Sequence, residues 1–184
     1  MSDQTYHYNT PSVFEILYTM KSLNENMSKI FFFGSVVAYG VIMYDPCTHE
    51  QIKSLEENIG YNLPHDYTQF LHYTNGMKFG HDESHLHVSS HLFSLEELYS
   101  RKEIFSWKPE SMLGIGVCAE STIEIFIKLD EMGGNNIYVT DVMADKFYSR
   151  LNCNFRTFLE RFILTYGTPY WEWGSNITEI DNTW

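Results

Sequence analysis

Four histidines fall within eleven residues, which makes them the first candidates for chemistry: His81, His85, His87 and His91. On an extended strand, side chains alternate between faces, so His85, His87 and His91 would share one face. A zinc site needs three or four converging ligands. No HExxH motif is present and no cysteine lies near. We therefore interpret the segment as a polar loop entering a strand, and keep a small metal-dependent enzyme only as an alternative.

A glycine pattern, Gly114, Gly116 and Ala119, fits the GxGxxA fingerprint of dinucleotide-binding sites. That fingerprint binds pyrophosphate only where a helix follows the turn. Here an alternating segment typical of a strand follows instead, so we predict a bend between two strands. Other motifs of catalytic sites (GxSxG, the P-loop, the EF-hand and CxxC) are missing from the sequence. We expect no cofactor and no enzymatic activity, although a triad of distant residues stays open.

The charge balance points to the kind of partner. The chain has 24 acidic and 12 basic residues, a formal net charge of -12. This excess argues against binding to nucleic acid or to an anionic membrane, which both need Lys and Arg. It favours either a basic partner or simple solubility. Residues 103–145 contain eight acids and two bases, and from these we predict Glu110, Glu120, Asp130 and Glu131 as partner-binding residues.

An aromatic tail suggests a second part of a binding surface. Tyr170, Trp171 and Trp173 lie close together, with Glu172 between the tryptophans. Tyrosine and tryptophan often contribute most of the energy of an interface, so we predict these three rings as partner-binding residues. The alternative is that at least one of them covers the core.

The cysteines indicate a reducing compartment. Cys47, Cys118 and Cys153 are widely spaced and odd in number, which suits no disulfide framework. The first residues show no signal-peptide pattern, and the longest uncharged apolar stretch, Ile30 to Tyr44, has fifteen residues where a membrane span takes ~20. We therefore expect a cytoplasmic protein.

Helix signals recur along the chain. Three capping-box pairs predict helix starts: Ser12 with Glu15, Thr48 with Gln51, and Ser94 with Glu97. Pro64 predicts the first turn of another helix, which Asn75-Gly76 ends. After Asn154, six apolar residues follow helical spacing up to the stop signals Gly167 and Pro169. They are Phe155, Phe158, Leu159, Phe162, Ile163 and Tyr166.

Strand signals are fewer. Residues 30–44 fit either two short strands hinged near Gly34-Ser35 or one buried helix. Residues 123–129 alternate as a strand with one buried face, although Phe126 lies on the other face. A Gly-Gly-Asn-Asn turn at 133–136 then predicts a hairpin with a strand from Ile137.

The second segment resembles the signature of the SMI1/KNR4 family, also called the SUKH superfamily. The similar stretch is THEQIKSLEENIGYNLPHDYTQFLHYTNG. The matching residues are Leu55, Glu56, Gly60, Leu63, Pro64, Asp66, Tyr67, Phe70, Leu71, Asn75 and Gly76. Downstream, HLFSLEELY, NNIYVTD and FRTFLERFI resemble later elements of the family, so the resemblance covers about 46–167.

The resemblance implies an α+β fold in which helices pack on a small, mainly antiparallel sheet within a single domain. Around the family-like segment 46–167, we predict an N-terminal extension over 1–45 packed on the core and an acidic aromatic tail over 168–184. We interpret the matched residues as structural, because their types suit helix ends and core positions. The family has no known catalytic residues to carry over.

For function, the resemblance implies binding. Many bacterial members are similar to immunity proteins that neutralise polymorphic toxins, often nucleases. The leading hypothesis is therefore a cytoplasmic immunity protein that occludes the active site of a cognate, basic toxin domain. The alternative is a non-catalytic regulatory scaffold or adaptor, the role of fungal and animal members.

Overall fold

A computed structural model describes residues 12–23, 28–32, 35–39, 41–79, 90–101, 111–118, 123–131, 134–141, 148–173 and 179–181. Within these ranges the helices are α1 (Val13–Leu23), α2 (His49–Ile59), α3 (His65–Tyr73), α4 (Leu95–Arg101) and α5 (Phe155–Leu164), with a 3-10 turn at Tyr170–Trp173. The strands are β1 (Ser28–Phe32), β2 (Ser35–Tyr39), β3 (Val41–Met43), β4 (Met77–Phe79), β5 (His91–Leu92), β6 (Met112–Cys118), β7 (Ile123–Lys128), β8 (Ile137–Asp141), β9 (Tyr148–Arg150) and β10 (Glu179–Asp181).

Eight of these strands form one antiparallel sheet in the order β10-β9-β8-β7-β6-β5-β4-β3. Helices pack against it, so the predicted α+β class is confirmed. The edge strands β3 and β10 come from the segments predicted as the N-terminal extension and the tail; the three-part division itself stays a prediction. No helix within the described ranges has both the length and the apolar character that crossing a bilayer requires.

Local sequence signals explain where most helices begin and end. At the start of α2, the Gln51 amide donates to Thr48 Oγ1 at 3.3 Å, and the Thr48 amide donates to Gln51 Oε1 at 2.8 Å. Equivalent capping boxes open α1 at Ser12 and α4 at Ser94. Gly60 ends α2 in the left-handed region, with φ of 77°. Pro64 differs slightly from the prediction, because it precedes α3 as its N-cap residue.

The main core lies between the sheet and the helices. Helix α5 buries Phe155, Phe158, Leu159, Phe162 and Ile163, as its spacing predicts. Phe155 meets Tyr67 and Phe70 of α3 edge to face, with ring centroids 4.8 and 5.3 Å apart. Tyr166, predicted on the same face, lies beyond the end of the helix and is exposed.

The sheet is buried on its second face as well, so the prediction of one buried face for β7 was wrong. Glu124 and Phe126, which point away from the main core, are 5% and 0% exposed. Phe126 packs edge to face on Tyr148 at 5.4 Å, in a second cluster with Met112 and Tyr138. Aromatic residues on three neighbouring strands therefore make this face apolar.

Two segments resolve questions that the sequence left open. The described residues of the 30–44 segment form strands rather than a helix: β1 and β2 pair antiparallel, with Phe32 opposite Ser35, and β3 joins the large sheet. Gly114 and Gly116 lie inside β6 at a β-bulge, so the predicted bend between two strands was wrong. A Cβ on Gly116 would lie 2.5 Å from the His91 carbonyl oxygen, so glycine is needed for the close approach of β5.

Candidate partner-binding surface

A cavity of about 420 Å³ opens where the α2–α3 corner, the β7–β8 turn and the start of α5 meet. Its walls include Leu63, Pro64 and Asp66 from the corner, Glu131 and Asn136 from the turn, and Asn154 and Arg156 from α5. We refer to it as the corner groove. It brings together residues of the predicted acidic face and of the SMI1/KNR4-like signature.

The signature residues build the wall of the corner groove. The Leu63 amide donates to Glu56 Oε1 at 2.8 Å, which holds the loop against the last turn of α2. Gly60 allows the chain to turn at that point, and the Leu63 side chain is buried in the core. These contacts agree with the structural interpretation of the signature, because each residue shapes the corner.

Asp66 joins the starts of two helices beside the groove. Its Oδ1 accepts from the Tyr67 amide and its Oδ2 from the Arg156 amide, both at 3.0 Å. At the start of α5, Asn154 Oδ1 also accepts from the Thr157 amide at 2.9 Å. A carboxylate stabilises exposed amides and the positive end of a helix dipole. Hydrogen bonds between side chains and backbone amides of this protein therefore hold the groove wall in place.

Glu131 is held in a network of charges and hydrogen bonds. Tyr138 Oη donates to its Oε1 at 2.8 Å, and Arg150 Nη2 donates to its Oε2 at 3.2 Å. Lys128 Nζ lies 3.6 Å from Oε1, and the Glu131 side chain is 22% exposed. Two cations thus offset this carboxylate, while the neighbouring Asp130 is exposed to solvent. Of these two predicted partner-binding acids, Asp130 is the more accessible.

Two rings of the aromatic tail, those of Tyr170 and Trp171, lie in the core. Tyr170 and Trp171 are 8% and 3% exposed, and both rings pack 6.3 Å from Phe158. Trp171 therefore covers α5, the alternative that the sequence left open. Trp173 belongs to the 3-10 turn, but its side chain lies outside the described residues, as do Glu110 and Glu120. A partner-binding role for all of these residues stays a prediction.

The end of α5 carries exposed residues that sequence reasoning missed. Leu164 is 69% exposed and Tyr166 is 44% exposed. Two hydrogen bonds close the last turn: the Tyr166 amide donates to the Ile163 carbonyl at 3.0 Å, and the Gly167 amide donates to the Phe162 carbonyl at 2.7 Å. This pairing is a Schellman motif, which places Tyr166 in the left-handed region. The signal for this turn in the sequence is Gly167, from which we predicted only the end of the helix.

His91 is the one member of the histidine cluster that the structure describes; His81, His85 and His87 lie outside the described residues. Its Nε2 lies 3.3 Å from Oε1 of Glu97, whose other oxygen caps α4. Among the residues that the structure describes, no three His, Cys, Asp or Glu side chains lie close enough to share a metal ion.

All three cysteines are buried free thiols. Burial raises the pKa of both Cys47 and Cys153 to about 11, and it also raises the pKa of Cys118. A reactive cysteine needs a lowered pKa, because the thiolate is the nucleophile. These thiols therefore suit packing in the core rather than nucleophilic catalysis.

Comparison with known proteins identifies the family. The model of the SMI1 / KNR4 family (SUKH-1) matches residues 46–161, well over half of the chain. The chain is also similar to the uncharacterized protein YobM of Bacillus subtilis (strain 168), with 29% identity over 163 residues that cover 84% of this chain and 88% of YobM. Proteins of the SUKH family are generally non-catalytic immunity or regulatory proteins. The resemblance seen in the sequence is thus confirmed: the chain belongs to the SMI1/KNR4 family (SUKH-1).

Proposed function

We propose that this protein is an intracellular immunity protein that binds a cognate polymorphic toxin domain and occludes its active site. The observation that carries the proposal is membership of the SMI1/KNR4 family over residues 46–161. A nuclease is our first candidate for the toxin, and we propose no catalytic activity for the immunity protein itself.

Charge supports a basic partner. The chain has a formal net charge of -12, so its field attracts cationic surfaces and speeds their encounter. Nucleases present basic clefts to their substrate, and an acidic protein can compete for such a cleft. We propose that Asp130 belongs to the contact surface, because it is an exposed acid between Leu129 and Glu131, which both line the corner groove. Glu110 and Glu120 are proposed on charge alone.

The rigidity of the corner groove also suits binding. Two of its carboxylates already pair within the fold, Asp66 with the α5 start and Glu131 with Arg150. A preorganised surface loses little conformational entropy when it binds. A partner would therefore meet a wall of fixed shape, which favours selective recognition of one toxin.

Co-expression tests the proposal. The toxin domain encoded by the neighbouring gene is induced in cells with and without this protein, and growth and complex formation by size-exclusion chromatography are measured. We expect restored growth and co-elution. A toxin that kills equally in both strains, or the lack of any toxin gene beside this one, would contradict the immunity role.

Salt dependence separates electrostatic attraction from shape. We expect the association rate to fall by at least tenfold between low and high ionic strength, because steering depends on screened charges. An association rate that does not change with salt would remove the basic partner from the proposal.

A further inference from the structure

We propose that the corner groove binds the main chain of an extended segment of the partner protein, and that the carboxamide of Asn136 pairs with one peptide unit of that segment. Asn136 Oδ1 accepts from a backbone N–H of the segment, and Nδ2 donates to a backbone carbonyl. The identity of the partner comes from the proposed function, on which this inference rests.

Asn136 lines the corner groove with a carboxamide whose bonding is incomplete. The residue is 4% exposed, yet its Oδ1 has no hydrogen-bond partner in the part of the chain that the structure describes. A buried acceptor without a partner lowers stability, because it has lost its hydrogen bonds to water. A ligand that brings an N–H group into the groove completes the bonding of this atom.

The backbone around this carboxamide is held on two sides. The Asn136 carbonyl accepts from the Lys128 amide at 2.9 Å, where β7 and β8 meet at their turn. The Asn135 carbonyl accepts from Arg150 Nε at 3.0 Å, which ties the same turn to β9. The position of the carboxamide is therefore fixed before a ligand arrives, so little entropy is lost when the ligand binds.

The charged side chains of the groove already have partners, which argues against a charged ligand. Both oxygens of Asp66 accept from backbone amides, and Glu131 is offset by two cations. The Arg156 guanidinium lies 5.6 Å from the centre of the Phe14 ring, and Phe14 does not line the groove. The exposed Asp130 attracts a basic partner protein. The groove itself suits an uncharged group of that partner.

The other walls of the groove suit a peptide backbone. Carboxamides make up four of its twelve lining residues, namely Asn62, Gln69, Asn136 and Asn154. A carboxamide offers a donor and an acceptor in one plane, which is the pattern that a peptide unit presents in return. Pro64 and Leu129 add partly buried apolar walls. Main-chain hydrogen bonds of this kind give affinity, while neighbouring pockets select the side chains.

Asn136→Leu separates binding from folding. We expect an equal or higher melting temperature, because the variant no longer buries an unpaired acceptor. Its affinity for a catalytically inactive form of the toxin domain encoded beside this gene, measured by titration calorimetry, should fall about tenfold or more. Asn136→Ala should show the same loss of affinity, and it replaces Asn136→Leu if the larger side chain prevents folding.

Asn136→Asp identifies the kind of group that enters the groove. The substitution keeps the shape of the side chain, but it replaces the N–H donor with a second acceptor and adds a negative charge. Recognition of the main chain predicts weaker binding, because the carboxylate cannot donate to a carbonyl of the segment. Tighter binding would overturn the inference in favour of a Lys or Arg side chain in the groove.

Asn135→Ala is the matched control, because Asn135 is an exposed neighbour that does not line the groove. Its affinity should stay within about twofold of the wild type. Hydrogen–deuterium exchange should show a short run of toxin amides that the wild type protects and Asn136→Leu does not.

The outcomes distinguish the two proposals. If the wild type binds and both Asn136→Leu and Asn136→Ala bind equally well, this inference is wrong and the proposed function stands. An equal loss of affinity in Asn135→Ala would also overturn the role of Asn136. If the wild type does not bind the toxin domain, the proposed function fails and the inference fails with it.

Discussion

The two ends of α5 are held in place in different ways. At the N-terminal end, side chains fix the structure: Asn154 caps the helix, and Asp66 accepts from the Arg156 amide at 3.0 Å. At the C-terminal end, Gly167 packs against Phe79, and Leu164 and Tyr166 are 69% and 44% exposed. The ten-residue helix puts about 15 Å between them.

This contrast between the two ends of α5 separates residues that stabilise the fold from residues that are exposed. Polar groups at the N-terminal end satisfy one another, so changes there should be felt first in folding. The exposed side chains at the C-terminal end contribute little to the core, so changes to them should have little effect on folding. Four predictions test this contrast, beginning with the variant that we expect to be the most destabilising.

Phe155→Ala should have the largest effect, because Phe155 is fully buried against Tyr67 and Phe70 at the first turn of α5. We expect the free energy of unfolding to fall by about 3–5 kcal/mol. Leu164→Ala, in the last turn of the same helix, should cost less than about 0.5 kcal/mol because its side chain is exposed. Urea denaturation measures both; similar losses would contradict the contrast.

Gly167→Ala should lower the free energy of unfolding by about 2–4 kcal/mol. The alanine would be strained at positive φ and would also overlap Phe79. Gly134→Ala is the matched control, since Gly134 has φ of 75° but nothing within 4 Å of the added Cβ. It should cost only about 1 kcal/mol. Equal effects would mean that the turn at Gly167 does not pack on Phe79.

Glu131→Gln should lower the free energy of unfolding by about 1–2 kcal/mol, because it weakens the carboxylate contacts with Arg150 and Lys128. Asp130→Asn removes the same charge from an exposed neighbour and should change stability by less than about 0.5 kcal/mol. For toxin binding we expect the opposite order, with Asp130→Asn the more harmful. Thermal denaturation of both variants measures stability and titration calorimetry measures toxin binding, so together they check these opposite orders.

The last prediction concerns pH, and its effect is confined to alkaline conditions. Cys153 immediately precedes the cap of α5, and burial raises the pKa of its thiol from 9.0 to about 11. In the unfolded chain the thiol ionises first, so the unfolded state loses its proton while the folded state keeps it. The contribution of the Cys153 thiol to the free energy of unfolding is therefore fully present below about pH 9 and is lost as the pH rises towards 11.

Cys153→Ala tests whether the Cys153 thiol contributes to this loss of stability at alkaline pH. The variant should show a shallower decline in the free energy of unfolding between pH 9 and 11, as measured by urea titrations. Burial also raises the pKa of Cys47 to about 11 and raises the pKa of Cys118, so these two thiols leave part of the decline in place. An identical slope in the variant and the wild type would show that Cys153 does not contribute.

Local signals in the sequence predicted the helix boundaries well. The Thr48–Gln51 capping box and the left-handed Gly60 both depend on neighbouring residues, which the sequence displays directly. The apolar face of α5 was predicted up to the point where the helix ends. Tyr166 was misplaced because the spacing continues past Leu164, although the Schellman turn redirects the side chain.

Non-local features could not be predicted in the same way. The sequence predicts Glu131 as a partner-binding acid but does not show that Arg150 and Tyr138 contact it from other strands. Likewise, the second face of β7 is buried because Phe126 meets Tyr148 across the sheet. Such contacts depend on which strands become neighbours, and the spacing of residues along one strand does not contain that information.

The most direct test of the account is a titration of the wild type into a catalytically inactive form of the toxin domain encoded by the adjacent gene. The account predicts a saturable complex with nanomolar affinity. No measurable binding would contradict the central claim that this protein acts by binding a toxin.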